Sequence, residues 1–256
     1  MRKRQKLGQH LLRDPKILSS IIKSSSITHE DIVFEIGTGE GHLTEKICAL
    51  ASKVISVEID QHLFEIAKKR LRNCRNLELI HGDGFKIERK FDILVTNIPY
   101  SKSLKLIEWL SSRQLKRGVI TVQKEFAEKI LAKPGLSNYR AISVLAQKRF
   151  TIQKLFEIKK EYFYPPPKVN SAVLLLKSKR AEPVHPQIVS SLKILFSFRG
   201  RLVSPAIKSI LKNNEREFKI YVDILEYTLL KKRVERLNVD EAFGLAEMLA
   251  EINYEK

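Results

Sequence analysis

The amino-acid sequence predicts an α/β fold: a mainly parallel, doubly wound sheet followed by a small all-helical C-terminal domain. Three observations predict it. Strand-like and helix-like patterns alternate from residue 14 to residue 122. The glycine-rich run Gly37-Thr38-Gly39-Glu40-Gly41 ends the first strong strand pattern and opens a helical one. Beyond Lys177-Ser178-Lys179-Arg180-Ala181-Glu182-Pro183 the strand pattern stops and apolar residues recur at helical intervals.

The elements follow in order. Asp14 and Pro15 form a cap and first-turn pair before Ile17, Leu18, Ile21 and Ile22, which predicts a helix over 14–26. Ile32–Ile36 reads as a strand, 42–51 as a helix, Lys53–Glu58 as a strand, 61–72 as a helix and Leu77–Ile80 as a strand. The apolar run Phe91–Thr96 is a fourth buried strand, followed by a helix near 103–112, the strand Gly118–Val122 and a helix over 124–132. Ala141–Ala146 is a further apolar run, and 149–158 and 171–177 read as late strands. The expected domains are therefore 1–180, with a basic N-terminal arm, and 181–256.

Composition narrows the function. The chain has 256 residues, is 43% hydrophobic and carries a net charge of +18. No apolar stretch approaches the ~20 residues a membrane span requires. The two cysteines, Cys48 and Cys74, have no metal or redox spacing, which fits idle thiols in a reducing cytoplasm. The histidines form no paired-ligand motif, so no protein metal site is expected. The charge is concentrated. Residues 17–97 carry eleven basic and twelve acidic side chains, whereas 98–180 carry eighteen basic and five acidic. Residues 1–16 add six basic against one acidic. A polyanion, most naturally a nucleic acid, is the partner such an asymmetry fits.

The neutral half holds a cofactor pattern. Its G-x-G-x-G spacing is neither the dinucleotide fingerprint nor a phosphate loop, since no Lys-Ser/Thr follows. Glu58, at the end of the second strand, is placed to accept ribose hydroxyls, and Asp83, after the third, to accept an adenine amine. A backbone cradle, a ribose acceptor and an adenine acceptor without a cationic phosphate clamp fit S-adenosylmethionine better than NAD. Asn97-Ile98-Pro99-Tyr100 then follows the fourth strand, at the sheet edge where open α/β folds bind ligands. An amide oxygen and a main-chain carbonyl accept the two N–H bonds of an exocyclic amine, and the tyrosine ring stacks on a flat base.

With these residues assembled, the chain resembles the KsgA/Erm family of S-adenosylmethionine-dependent rRNA adenine N6-methyltransferases over residues 5 to about 177. Lys6-Leu7-Gly8-Gln9-His10-Leu11-Leu12-Arg13-Asp14 is similar to its N-terminal segment, with Leu11 in place of the usual Phe. Glu35–Thr44, Val57-Glu58-Ile59-Asp60 and Gly82-Asp83 resemble its cofactor motifs, and Asn97-Ile98-Pro99-Tyr100 its catalytic motif. Phe163-Tyr164-Pro165-Pro166-Pro167-Lys168-Val169-Asn170-Ser171 resembles its late Pro-rich signature.

The resemblance implies a Rossmann-like class I methyltransferase sheet. It implies Gln9, His10, Leu12, Gly37, Gly39, Glu58, Ile59, Asp83, Gly84 and Asn97 as cofactor contacts, with Asn97, Ile98, Pro99, Tyr100 and Phe163 at the target adenine. Phe163, before three prolines, is expected to be a presented ring rather than a packed one. Lys148-Arg149 and Lys159-Lys160 are expected to touch the RNA backbone.

The implied activity is dimethylation of adjacent adenosines near the 3′ end of small-subunit rRNA. The implied setting is a cytoplasmic, monomeric protein that binds a pre-30S-type particle. Gly8-Gln9-His10 and Pro134–Tyr139 resemble KsgA-type chains, whereas Gly-Glu-Gly-His-Leu-Thr and Ile98 resemble Erm-type, large-subunit enzymes. A mainly non-catalytic assembly factor is a third possibility, and DNA binding, as in mitochondrial relatives, a fourth. Ser101-Lys102-Ser103 departs from the Asn/Gln-Ile-Ser that usually follows the catalytic motif.

Overall fold

The computed structural model describes residues 10–179, 182–212 and 214–252. These fall into two compact units. One holds the described residues through Ala127 together with those from Phe150 to the break at 180–181, and the other holds Glu128–Arg149 and the described residues from Glu182 onward. Residues 128–149, assigned by sequence to the first domain, thus group with the C-terminal helices.

The first unit begins with a two-residue strand, β1 (Leu11–Leu12), and helix α1 (Pro15–Ser25). The Asp14 carboxylate caps α1, accepting from the Lys16 and Ile17 N–H groups at 3.0 and 2.9 Å. Strands β2 (Ile32–Ile36), β3 (Lys53–Glu58) and β4 (Leu77–His81) alternate with α2 (His42–Cys48) and α3 (Gln61–Arg70). Then come β5 (Ile93–Thr96), α4 (Ser103–Ser111), β6 (Arg117–Gln123) and α5 (Lys124–Ile130), with the unit boundary inside α5. After α6 (Ala141–Arg149), which lies in the second unit, the first is completed by β7 (Phe150–Ile158), β8 (Phe163–Tyr164) and β9 (Ser171–Ser178).

Seven strands form one sheet in the order β4-β3-β2-β5-β6-β9-β7. The first five are parallel, and β9 runs antiparallel to both neighbours. The central strands β2 and β5 pair in register Val33↔Ile93 to Ile36↔Thr96. Consecutive residues of both strands are buried, so both faces of the sheet are covered there, which is why these strands read as continuous apolar runs rather than alternating ones. The chain order reverses between β2 and β5, so a crevice opens outside their C-terminal ends. Glu35, Gly37 and Asn97 sit at or just past those ends, and Glu58 ends the neighbouring β3.

A second, two-stranded sheet pairs β1 with β8, Leu11↔Tyr164 and Leu12↔Phe163. It places the N-terminal segment beside the Pro-rich segment. Leu12, Leu18, Val95, Val173 and Phe163 share one core cluster there.

The second unit is helical, with α6, α7 (Pro186–Ser197), α8 (Val203–Ile210), α9 (Glu215–Ile224), α10 (Tyr227–Leu230) and α11 (Val239–Ile252). The run Ala141–Ala146 is therefore helical, its consecutive buried residues packed against α7 and α11. Tyr139 meets Phe196 edge-on at 5.6 Å within the same core.

Candidate active site

The glycine-rich turn after β2 is built by conformation. Gly37, Gly39 and Gly41 have φ of +86°, +61° and +85°, a region costly for residues with a Cβ. The Gly37 N–H donates to the Val57 carbonyl at 2.8 Å, which ties the turn to β3. Glu58, 1% exposed, accepts from the Gly39 N–H at 2.8 Å through Oε2 and from the Asp60 N–H at 2.9 Å through Oε1. Burial pushes its carboxyl up, against those backbone donors that pull it down.

Behind the turn lies a polar network that sequence reasoning missed. The buried Glu35 accepts from the Thr44 hydroxyl at 2.6 Å and the Ser56 hydroxyl at 2.5 Å, both on Oε2, while Oε1 has no hydrogen-bond partner among the described residues. Thr38 and Ser56 hydroxyls meet at 2.6 Å. Burial outweighs the two hydroxyl donors and raises the Glu35 carboxyl to about 7. No motif announces this network, since Thr38, Thr44 and Ser56 become neighbours only when the turn folds back on β3.

Two adjoining cavities share Gly37, Glu58 and Pro99. The first is lined by His10, Leu11, Leu12, the glycine-rich turn, Glu35 and Asn97. The second, of about 150 Å³, is lined by Ile59, Asp83, Gly84, Phe85, Ile98, Lys102 and Lys105, among others. Ile59 is 56% exposed, an apolar side chain at an open rim where a flat ring would cover it. Gly84 is required by space: a Cβ there would come within 2.9 Å of the Ile36 side chain. Asp83 accepts from the Phe85 N–H at 3.0 Å through Oδ1 and faces Lys105 Nζ at 3.5 Å through Oδ2.

Asn97 lies between β5 and the strand pair β1–β8. Its Nδ2 donates to the His10 carbonyl at 3.3 Å. The His10 ring bonds the Pro165 carbonyl through Nδ1 at 2.7 Å and lies 5.4 Å from the Tyr100 ring. The half-buried Tyr100 shares a hydrogen bond between its hydroxyl and that of Ser171, and burial raises its phenol above the ordinary value. Ile98 is buried, and Pro99 starts the turn that leads into α4.

The structure thus brings together His10, Leu12, Gly37, Gly39, Glu58, Ile59, Asp83, Gly84, Asn97, Pro99 and Tyr100, while Gln9 lies outside the described residues. Two expectations are corrected. Phe163 is 2% exposed and packed in the core with Leu12 and Leu18, because strand alternation turns it inward. The exposed ring on β8 is Tyr164, 48% exposed, with the Arg13 guanidinium 5.2 Å from its centroid. Arg149, expected on RNA, is 1% exposed, and Lys148 pairs with Asp240 at 2.8 Å. Lys159 and Lys160 are exposed. Among the described residues no group of His, Cys, Asp or Glu has a metal-binding arrangement, and no helix is long and apolar enough to cross a membrane.

The cavities fit S-adenosylmethionine on three counts. A left-handed glycine cradle leaves space that side chains would fill, a buried carboxylate stands at the end of β3, and an acceptor faces the second cavity. Comparison with known proteins agrees. Residues 1–250 match the family model described as ribosomal RNA adenine dimethylase. The ribosomal RNA small subunit methyltransferase A of Thermotoga neapolitana is 35% identical over 247 residues, covering 96% of this chain and 91% of that protein. A probable ribosomal RNA small subunit methyltransferase A of Pyrococcus furiosus is 34% identical, covering 96% and 92%. The crystal structure of a dimethyladenosine transferase from Plasmodium falciparum superposes with a TM-score of 0.83 at 33% identity, over 96% of this chain and 98% of that one. The 23S rRNA methyltransferase ErmE shares the fold, at 22% identity and a TM-score of 0.67 over 93% of this chain and 99% of that one. The chain belongs to the ribosomal RNA adenine dimethylase family of S-adenosylmethionine-dependent methyltransferases.

Proposed function

We propose that this chain N6,N6-dimethylates adjacent adenosines near the 3′ end of small-subunit rRNA, within a pre-30S-type particle, as a cytoplasmic monomer. One observation carries the chemistry. One N–H of the Asn97 amide donates to the His10 carbonyl, which anchors the side chain at the wall of the glycine-lined cavity, and its oxygen is the acceptor we assign to an incoming amine. The small-subunit assignment is supported by the names of relatives that cover nearly the whole chain.

The bound cofactor supplies an electrophilic methyl on a sulfonium. The chain's own residues position everything else. Gly37 and Gly39 would let the backbone approach it, while Glu58 and Asp83 would hold the ribose and adenine. Because the target amine is buried in a base stack, the base must leave the stack to reach Asn97. Tyr100, fixed by Ser171 and beside His10, offers the face on which the base stacks, worth about 1–3 kcal/mol. Asn97 Oδ1 and the Ile98 carbonyl would accept hydrogen bonds from the two amine N–H groups and turn the nitrogen lone pair toward the donor methyl; the new N–C bond replaces the S–C bond and the surplus amine proton goes to water, so rate comes from positioning and fixed dipoles. For the second transfer the monomethylated amine keeps one N–H for one acceptor.

The test is transfer of labelled methyl from S-adenosylmethionine to small-subunit particles, large-subunit RNA and duplex DNA. Label on the small-subunit particle is expected. Label on large-subunit RNA alone contradicts the substrate, and tight particle binding without label contradicts catalysis.

A further inference from the structure

We infer that Lys105 is a specificity residue of the cofactor pocket, donating to N7 of the adenine whose 6-amino group Asp83 accepts; this rests on the reading that the second cavity takes the cofactor's adenosine.

The inference starts from an ion pair with an unusual placement. Asp83 stands after β4, and one of its oxygens is already committed to the Phe85 N–H, which fixes the carboxylate plane. The other oxygen faces the Lys105 ammonium at 3.5 Å, too long for a full hydrogen bond, so both groups keep capacity for a ligand. The ammonium is also held over the Phe85 ring, 4.3 Å from its centroid, by a cation–π contact. Two attachments restrain a side chain that is half exposed. Both Asp83 and Lys105 line the second cavity. One wall therefore presents an acceptor and a donor side by side.

Adenine carries the complementary pair. Its 6-amino donor and N7 acceptor are adjacent on one edge, whereas guanine presents two acceptors there. A guanine O6 would meet the Asp83 carboxylate oxygen with no proton between them. The adenine edge carrying N1 also has a donor beside an acceptor, so the side of approach decides. Gly84 is buried and pressed against Ile36, which leaves main chain on the inner side of the cavity. Lys105 reaches Asp83 from the half-exposed rim on α4. The outer edge of a base whose amine meets Asp83 is then its N7 edge.

The test is calorimetric binding of S-adenosylhomocysteine and its 7-deaza and 1-deaza analogues to the wild-type chain and to Lys105→Met, which keeps the apolar stem. Thermal unfolding of both proteins checks the fold. Removing N7 is expected to weaken wild-type binding about tenfold, the effect of one charge-assisted hydrogen bond at a half-exposed site. Lys105→Met is expected to bind the parent compound about tenfold more weakly. It then shows no further loss with the 7-deaza analogue and keeps the wild-type penalty for 1-deaza. Equal or tighter binding of the parent compound by Lys105→Met overturns the inference, because the ammonium is then a spectator or an obstruction. A 7-deaza penalty that persists in the variant overturns it as well. If the wild-type chain binds none of the three compounds, the cofactor reading of the cavity fails, and this inference with it.

Discussion

The Asn97 side chain is held by the main chain of His10: its Nδ2 donates to the His10 carbonyl at 3.3 Å. That bond anchors the amide at the wall of the cavity that both residues line. A residue from the catalytic motif and one from the N-terminal segment thus act together, although 87 positions separate them.

The first consequence concerns Asn97 itself. Asn97→Ala is expected to lower kcat by about 10³-fold, the scale of losing one preorganised polar group at a reacting centre. Cofactor affinity and thermal stability should change little, which calorimetry and a melting curve check.

His10 should act mainly through position. Its ring is tied to the Pro165 carbonyl and lies against Tyr100, so His10→Ala frees the segment that orients Asn97. We expect kcat to fall about 10- to 100-fold with cofactor Kd within a few-fold, as small misplacements cost rate rather than binding. His10→Asn, which keeps a donor for Pro165, should recover much of the loss. Steady-state kinetics with separate Kd measurements distinguish this from a plain cofactor contact.

Glu58 joins the glycine turn to β3 and faces both cavities. Glu58→Ala removes the proposed ribose acceptor and the partner of the Gly39 N–H together. Cofactor affinity should drop at least about 100-fold, since charged hydrogen bonds contribute about 1.5–3 kcal/mol each. Titration calorimetry reads this directly.

Glu35 predicts a pH dependence of stability. Its folded carboxyl is raised from 4.5 to about 7 by burial, so the folded chain holds a proton that the unfolded chain releases in that interval. Unfolding then releases protons, and stability falls as pH rises from about 4.5 to about 7 and levels off above. The contribution is at most about 3 kcal/mol. Denaturant melts of the wild type and Glu35→Gln across pH 5–8 should differ in slope below pH 7, the variant being the flatter.

Much of this was legible in the sequence because its signals are local. Asp14-Pro15 begins a helix, the glycines fit only a left-handed turn, and the apolar runs at 32–36 and 91–96 are central parallel strands. The pairing of β1 with β8 was not legible: two residues per strand carry no periodicity, and the partners are far apart in the chain. Phe163 was misjudged for the same reason, since only that pairing shows which of Phe163 and Tyr164 faces inward. Arg149 ends a helix in which Ile142 to Ala146 are buried, so its charge alone misled. Cys48 and Cys74, unremarkable by spacing, come within hydrogen-bonding reach of one another, and burial raises the Cys48 thiol.

The most direct measurement is mass spectrometry of nuclease-digested small-subunit rRNA from particles treated with the wild-type chain or Asn97→Ala in S-adenosylmethionine. The expected result is two N6,N6-dimethyladenosines on adjacent nucleotides with the wild type and almost none with the variant. Dimethyladenosine formed equally well by Asn97→Ala would contradict the role assigned to Asn97, and its absence from the wild-type digest would contradict the activity itself.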